Sequence, residues 1–170
     1  MRIRPLGPAD SRAVRCIERE AGVAFAQIGM TAVAGMPVVS MDELAELCAA
    51  GRSHVAADEL DRPLAFLLSS IVDGCAHIEE VSVDPAAARR GIGGALIEHL
   101  VRIAGAEGLA FVTLTTFLEV PWNAPYYRRL GFVAVEPSAH GSQLAALVAR
   151  ERRTIPGDEP RVAMRRGTGR

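Results

Sequence analysis

The alternation of apolar and polar positions along this chain predicts a succession of short strands and amphipathic helices. Apolar runs that Gly, Pro or Asp interrupt predict strands over residues 1–4, 53–58, 64–72, 78–83, 110–115, 132–135 and 161–165. Apolar residues at helical spacing predict helices over residues 8–21, 40–50, 92–107, 124–130 and 143–153. Residues 22–39 are Gly-rich, apolar and weakly periodic, which predicts a loop with one short helix. We label the strands 78–83 and 110–115 β4 and β5.

Local sequence signals define several of these boundaries. Ser40, followed three residues later by Glu43, forms a capping box and predicts the start of a helix. The pair Asp73-Gly74 between two strand patterns predicts a tight hairpin. The apolar positions of the first helix that we expect to face the core are Val14, Ile17 and Ala21.

Composition and charge narrow the class of protein. A length of 170 residues predicts one domain over residues 1–166, followed by a disordered tail over 167–170. The net charge of −1 disfavours a nucleic-acid-binding surface, and no apolar run is long enough to cross a membrane. The three cysteines are widely spaced, which predicts buried free thiols and no metal site. The chain starts without a signal peptide, which predicts a cytoplasmic protein.

The most informative segment, residues 78–96, reads as a strand, a turn and the start of a helix. Pro85 ends the strand because it cannot continue a ladder of hydrogen bonds. The first amides of a helix lack internal partners, the helix dipole is positive there, and glycines let a phosphate approach the backbone. The segment therefore predicts a pyrophosphate site, formed by Arg89, Arg90, Gly91, Ile92, Gly93 and Gly94.

Two other phosphate-binding motifs fit this glycine loop less well. A P-loop needs a lysine, and the chain contains none. A dinucleotide fingerprint needs a third glycine where Leu96 stands, and an acidic residue after the next strand, which ends near Thr115-Thr116. A plain strand-to-helix turn and a nucleotide-binding regulatory domain stay open as alternatives.

Two sequence blocks resemble the GNAT acetyltransferase superfamily. The run Val81-Ser82-Val83-Asp84-Pro85 with Arg90-Gly91-Ile92-Gly93 resembles its fourth strand and acyl-coenzyme A loop. The run Tyr127-Arg128-Arg129-Leu130-Gly131-Phe132 resembles the end of the superfamily's short helix, whose start carries a cofactor-contacting Asn. Ala88 departs from the pattern, since Gln or Arg usually stands there. Because the loop binds chiefly through backbone amides, we expect cofactor binding to survive this change.

The resemblance implies an α/β fold whose mixed sheet of six or seven strands is splayed between β4 and β5, with helices on both faces. It implies acetyl-CoA as co-substrate and no metal. The backbones of Val81 and Val83 would pair with the pantetheine arm and polarise the acetyl oxygen. The full set of implied cofactor contacts is Val81, Ser82, Val83, Arg89, Arg90, Gly91, Ile92, Gly93, Gly94 and Asn123.

Acetyl transfer to an amine also needs an acid for the departing thiolate. Tyr127 is the predicted acid, because the ordinary pKa of a phenol, near 10, is close to that of the leaving thiol. Strand alternation puts His77, Glu79, Val81 and Val83 on one face of β4. Superfamily members often carry the base on that face, so Glu79 is the predicted base, with His77 second. A mechanism without a base and a purely structural role for both stay open.

The predicted function is an N-acetyltransferase that moves an acetyl group from acetyl-CoA to a primary amine by direct attack. The acceptor is a small-molecule amine or a protein N-terminus, facing an apolar wall of Phe25, Ile28, Met30 and Met36. The alternative is a non-catalytic acyl-CoA-binding or sensing module. The Arg-rich last strand is expected to complete the sheet or to form a homodimer contact.

Overall fold

The computed structural model describes residues 1–169, which form a seven-stranded mixed sheet. The strands are β1 (Arg2–Pro5), β2 (His54–Ala57), β3 (Pro63–Val72), β4 (Cys75–Val83), β5 (Phe111–Phe117), β6 (Val133–Ala134) and β7 (Arg161–Gly167). Their order across the sheet is β1-β2-β3-β4-β5-β7-β6. β4 and β5 are parallel, whereas β1 with β2, β2 with β3, β5 with β7 and β6 with β7 are antiparallel. The predicted mixed α/β fold is confirmed.

Three helices lie between β1 and β2, and one helix follows each of β4, β5 and β6. They are α1 (Ser11–Gln27), α2 (Thr31–Ala34), α3 (Met41–Ala49), α4 (Ile92–Ala106), α5 (Ala124–Arg129) and α6 (Ser142–Thr154). The capping box of α3 is confirmed, because the Glu43 amide donates to Ser40 Oγ at 3.2 Å and the Ser40 amide donates to Glu43 Oε2 at 2.9 Å. Gly108 and Gly131 follow α4 and α5 with φ angles of 89° and 83°, as expected for glycines that end helices.

The predicted loop over residues 22–39 is wrong in its first part, since α1 continues to Gln27. One glycine inside a helix costs only about 1 kcal/mol relative to alanine, and the apolar residues that follow Gly22 offset that loss. The helix ends where Gly29 adopts a φ of 87° and the Met30 amide donates to the Phe25 carbonyl at 2.9 Å. The short helix predicted within this segment is α2.

The chain separates into two compact units. The first comprises Met1–Ser70 and Glu79–His99, and the second comprises Ile71–Ile78 and the chain from Leu100 onward. The core of the first unit joins α1 and α3 to β2 and β3 through Leu6, Val14, Ile17, Leu44, Val55, Phe66 and Leu68. The core of the second joins α6 to β3, to β7 and to the residue that follows β6, through Val72, Val135, Leu144 and Ala163. A single domain over residues 1–166 stays a prediction.

Both faces of β3 are buried. Phe66 and Leu68 belong to the core with α1 and α3, and Ala65 and Leu67, which point to the other face, are equally buried. This burial agrees with the helices predicted on both faces of the sheet.

The register between β4 and β5 covers only the first part of each strand. Residues 76–78 pair with residues 112–114, although β4 continues to Val83 and β5 to Phe117. Short pairing of this kind is the splay that the resemblance implied. The backbone of β4 beyond Ile78 therefore has no partner on β5 in the described register.

The end of the chain is better ordered than expected. β7 runs to Gly167, which pairs with Phe111, and the Thr168 amide donates to the Ala110 carbonyl at 3.1 Å. The expected disordered tail therefore contains two hydrogen-bonded residues, and Arg170 lies outside the described residues. Because β7 pairs with β5 over all seven residues, it completes the sheet. The homodimer contact stays a prediction.

Candidate functional site

In the first unit, the connection from β4 to α4 begins with a turn fixed by Asp84. Its amide donates to the Leu64 carbonyl at 2.9 Å, and its Oδ1 accepts from the Ala86 amide at 2.8 Å. A single 3₁₀ turn over Pro85–Ala87 follows. The Asp-Pro pair thus ends the strand and directs the chain toward α4, as the sequence predicted for Pro85.

The start of α4 has the geometry of an anion site. The Ala95 amide donates to the Gly91 carbonyl at 3.0 Å, which makes Gly91 the N-cap. Helix geometry leaves the amides of residues 92–94, which include Gly93 and Gly94, without an acceptor inside the helix. Gly91 has a φ of 76°, and a Cβ built on it would meet no atom within 4 Å. The Cβ position of Gly91, the residue that precedes these amides, is therefore open space.

The side chains around this helix start are of two kinds, one buried and apolar, the others exposed and charged. Ile92 is buried, so it holds the helix in place and offers only its amide to a ligand. Arg89 and Arg90 are exposed, and Arg89 adopts a φ of 60°, which is unusual outside glycine. Open amides beside two guanidinium groups fit the pyrophosphate of coenzyme A.

The end of β4 offers a cofactor mainly its backbone. Val81 and Val83 are half-buried, and Ser82 is buried with its Oγ donating to Glu80 Oε1 at 2.6 Å. The Ser82 hydroxyl is therefore already engaged within the protein. Glu79 is exposed and accepts from Ser70 Oγ at 2.5 Å.

In the second unit, Asn123 occupies the N-cap position of α5 without capping it through its side chain. Its Nδ2 donates instead to Thr116 Oγ1 on β5 at 2.7 Å. Its Oδ1 is buried and has no hydrogen-bond partner among the described residues. A buried amide oxygen without a donor is destabilising unless a ligand supplies one.

Tyr127 lies on α5 and is buried. Its ring packs edge-to-face on Phe132, with the ring centroids 5.7 Å apart, and lies at the same distance from Tyr126. Tyr126 is half-buried, burial raises the pKa of its phenol, and the guanidinium of Arg129 lies 5.6 Å from its ring centroid. The two adjacent tyrosines therefore have different surroundings.

His77 is 1% exposed, and its Nδ1 lies 2.9 Å from Thr113 Oγ1, on the strand paired with β4. Burial and this hydrogen bond favour a structural role over a catalytic one.

Sequence reasoning missed Glu18 on α1. It lies four residues after the buried Val14, so helical periodicity puts it on the core-facing side of α1. Burial, followed by the negative charge of Glu80, raises the pKa of the Glu18 carboxyl to about 7. The signal that could have found it is a charged residue within an apolar helical stripe.

Three further expectations concern cysteines, metals and membranes. Cys16 is exposed and Cys48 and Cys75 are half-buried, so the prediction of buried thiols is wrong for Cys16. Within residues 1–169, no group of three or more His, Cys, Asp or Glu side chains is arranged to hold a metal ion. No helix in the same range is long and apolar enough to span a bilayer.

Comparison with known proteins decides the family. A sequence model described as the acetyltransferase (GNAT) family matches residues 33–132, which include α3, β4, the loop at Gly91 and α5. The chain belongs to the GNAT family. Membership puts it among the acetyl-CoA-dependent acyltransferases, and the resemblance seen in the two sequence blocks is confirmed.

Solved structures share this GNAT fold. N-acetylglutamate synthase from Neisseria gonorrhoeae, complexed with coenzyme A and N-acetyl-glutamate, matches with a TM-score of 0.76 and 13% identity over 99% of this chain and 35% of its own. This chain thus spans about a third of that synthase. Rv2747 from Mycobacterium tuberculosis, in complex with CoA and NLQ, has a TM-score of 0.73 and 18% identity over 98% and 99% of the two chains. The ribosomal-protein-S18-alanine N-acetyltransferase from Escherichia coli has a TM-score of 0.67 and 20% identity over 99% and 94%.

Proposed function

We propose that this protein is an N-acetyltransferase that moves an acetyl group from acetyl-CoA to a primary amine by direct attack. The observation that carries the proposal is the start of α4, where the amides of residues 92–94 have no acceptor within the helix and the Cβ position of Gly91 is open. Membership of the GNAT family supplies the cofactor class. Acetyl-CoA, when bound, supplies a thioester carbonyl as the electrophile.

In this proposal, three sets of groups in the chain bind the cofactor. The amides of residues 92–94, with the guanidinium groups of Arg89 and Arg90, neutralise and orient the phosphates. The backbone groups of Val81 and Val83 pair with the pantetheine arm and polarise the acetyl oxygen, which is possible because β4 has no described partner on β5 beyond Ile78. The buried Oδ1 of Asn123 accepts a hydrogen bond from the cofactor.

Tyr127 is the proposed acid that protonates the departing thiolate. We expect Tyr127→Phe to lower kcat about 10²- to 10⁴-fold with little change in coenzyme A affinity, because the hydroxyl acts only as the bond to sulfur breaks. Steady-state kinetics and calorimetry measure the two quantities. Tyr126→Phe is the matched control and should keep its kcat. Equal losses in both variants would show that ring packing, and not proton transfer, was disturbed.

Two candidates for the base lie on β4. The burial of His77 and its hydrogen bond with Thr113 Oγ1 favour a structural role. Glu79 is exposed and bound to Ser70, and its role as base stays a prediction.

The proposed acceptor is a small-molecule amine or a protein N-terminus. Of its predicted apolar wall, Met30 is buried in the protein, whereas Ile28 and Met36 are 46% and 37% exposed and are free to contact a ligand. The Neisseria and Escherichia structures carry the names of an amino-acid and a protein N-acetyltransferase, and both acceptor classes belong in the test.

The experiment that tests this function has a binding arm and a turnover arm. Coenzyme A should raise the melting temperature, and ATP and NAD should not, which separates the proposal from a nucleotide-binding regulatory domain. Release of free thiol from acetyl-CoA is then measured over a panel of amines, amino acids and peptides with free N-termini. Thiol release with one or more amines supports catalysis. Coenzyme A binding without any thiol release would support the non-catalytic sensing module instead.

A further inference from the structure

Thr116, near the end of β5, holds the side chain of Asn123. Thr116 is 3% exposed, and its Oγ1 accepts a hydrogen bond from Asn123 Nδ2 at 2.7 Å. The backbone of Thr116 is fixed in the sheet, because Thr116 pairs with Val162 on β7. The hydroxyl is therefore a buried acceptor on a paired strand, and it fixes one end of the Asn123 side-chain amide.

The other end of that amide carries an unused acceptor. Asn123 Oδ1 is buried and has no hydrogen-bond partner among residues 1–169. Because Oδ1 and Nδ2 are bonded to the same planar carbon, the hydrogen bond made by Nδ2 sets the direction in which Oδ1 points. The large majority of buried side-chain polar atoms in proteins have a partner, so this exception calls for an explanation, such as a ligand that donates to Oδ1.

The main-chain groups of Asn123 already have partners within the second unit. Its amide donates to the Val120 carbonyl at 2.9 Å, and its carbonyl accepts from the Tyr127 amide at 3.0 Å. Its side chain makes no capping hydrogen bond to α5. The backbone thus fixes where Asn123 lies, and the hydrogen bond with Thr116 fixes the remaining freedom, which is the rotation of the side chain.

The hydrogen bond with Thr116 also decides which end of the amide a ligand meets. A hydroxyl can donate or accept, so an amide beside it can leave either its oxygen or its nitrogen for a ligand. Because Thr116 Oγ1 accepts from Asn123 Nδ2, the oxygen is the group that remains. Coenzyme A carries amide N–H groups in its pantetheine arm, and these are donors of the kind that Oδ1 needs.

We propose that Thr116 is a positioning residue for cofactor binding, whose hydroxyl holds the Asn123 amide so that Oδ1 accepts from an amide N–H of the pantetheine arm. The proposal rests on the function proposed above, in which Asn123 contacts coenzyme A. Thr116 acts through Asn123, and the contact with the cofactor belongs to Asn123. Removal of the Thr116 hydroxyl should therefore be felt as a loss of cofactor affinity.

The test is a double-mutant cycle on the affinity for coenzyme A, measured by calorimetry. Thr116→Val replaces the hydroxyl by a methyl group of similar size and should weaken coenzyme A binding about five- to tenfold, because the Asn123 amide is no longer held. Asn123→Ala should weaken binding at least as much. In the Asn123→Ala background, Thr116→Val should cause no further loss, because the residue through which Thr116 acts is gone.

Conservative and control variants separate positioning from packing. Thr116→Ser keeps the hydroxyl and loses a buried methyl group, so it should melt at a lower temperature and keep the wild-type affinity for coenzyme A. Thr113→Val is the matched control, because Thr113 is buried on the same strand and its Oγ1 lies 2.9 Å from His77 Nδ1, outside the proposed cofactor contacts. Its affinity should equal that of wild type. In turnover, Thr116→Val should raise the KM for acetyl-CoA with little change in kcat, because Asn123 binds the ground state and the transition state alike.

Three results would overturn the positioning role and leave the proposed acetyl transfer in place. They are an unchanged coenzyme A affinity in Thr116→Val, the same loss for Thr116→Val with and without Asn123, and equal losses of affinity in Thr116→Ser and Thr116→Val. Should Thr116→Val fail to fold, Thr116→Ala takes its place in the cycle, and an unchanged affinity in Asn123→Ala alone would still overturn the role. A wild-type protein that binds no coenzyme A would overturn both proposals.

Discussion

Two helices of this protein, α4 and α6, both begin with backbone amides that lack an acceptor within the helix, but these amides differ in what can satisfy them. The protein itself supplies acceptors for the first turn of α6. Asp73 Oδ1 accepts from the Gln143 amide at 3.0 Å, and Asp73 Oδ2 accepts from the Leu144 amide at 2.8 Å. The first turn of α4 contains no acidic residue, and the Cβ position of Gly91, which precedes it, is open. Both helices begin after a glycine, Gly141 and Gly91, and the glycines show the difference. A Cβ at Gly141 would overlap the Asp73 carboxylate, whereas a Cβ at Gly91 would meet nothing.

This contrast separates a structural cap from a ligand site. A carboxylate at a helix start satisfies amides and stabilises the helix dipole, and a phosphate does the same when it binds. At α6 the anion is covalently part of the chain, so the site is permanently occupied and serves stability. At α4 it must come from outside, and two arginines accompany the open amides.

Of the changes at the two helix starts, the largest effect is expected from a side chain added at Gly91. Gly91→Val should weaken coenzyme A binding at least about tenfold, because a branched side chain at positive φ strains the loop and takes the space that the phosphate needs. Calorimetry on the folded variant measures the loss.

Gly74→Val is a matched control for this change. Gly74 has a φ of 72° and open surroundings like those of Gly91, but it lies in the hairpin between β3 and β4. Its variant should show a similar loss of stability with unchanged coenzyme A affinity. Equal affinities in the two variants would exclude the start of α4 as the phosphate site.

The next largest effect is expected from removing the Asp73 carboxylate that caps α6. Asp73→Gly removes the carboxylate and keeps the φ of 48° accessible, so it tests the cap without adding backbone strain. We expect a loss of about 1–2 kcal/mol in the free energy of unfolding, measured with urea, and an unchanged affinity for coenzyme A. Asp73→Asn, which keeps an acceptor but loses the charge, should fall between the two. A fully stable Asp73→Gly protein would mean that water caps α6 as well as Asp73 does.

The two helix starts also show what the sequence could and could not predict. The start of α4 was predicted because strand, Pro85, arginines and glycines are consecutive, and each reports the local backbone. The cap of α6 was not, because Asp73 lies 70 residues from Gln143 and its own neighbours indicate only a hairpin. The hairpin itself was predicted correctly, and its two residues have the positive φ angles that the turn requires.

Contacts between residues that are distant in sequence also determine the side-chain positions in the candidate site, so these positions are hard to predict from the sequence. Capping boxes, helix stops and the alternation of apolar and polar residues in strands follow from neighbouring residues, which is why α3, the ends of α4 and α5, and most strands were predicted. The position of Asn123 was also correct, but its side chain turned to Thr116, a contact between two elements. Glu18 was missed for this reason too, since its burial, and the charge of Glu80 that also raises its pKa, come from parts of the chain that are distant in sequence.

The smallest expected effect concerns the charges beside the open site. Arg89 is exposed and contributes a solvated guanidinium, so Arg89→Ala should weaken coenzyme A binding by about 1 kcal/mol or less. Calorimetry at low and high salt should show the difference from wild type shrinking as salt rises, because ions screen an exposed charge but not a backbone amide. Arg12→Ala, an exposed arginine on α1, is the control and should leave the affinity unchanged at both salt concentrations. A loss at Arg89 that exceeds the loss at Gly91, or that persists at high salt, would mean that side chains and not backbone amides hold the phosphate. In that case the contrast between α4 and α6 would no longer explain the site.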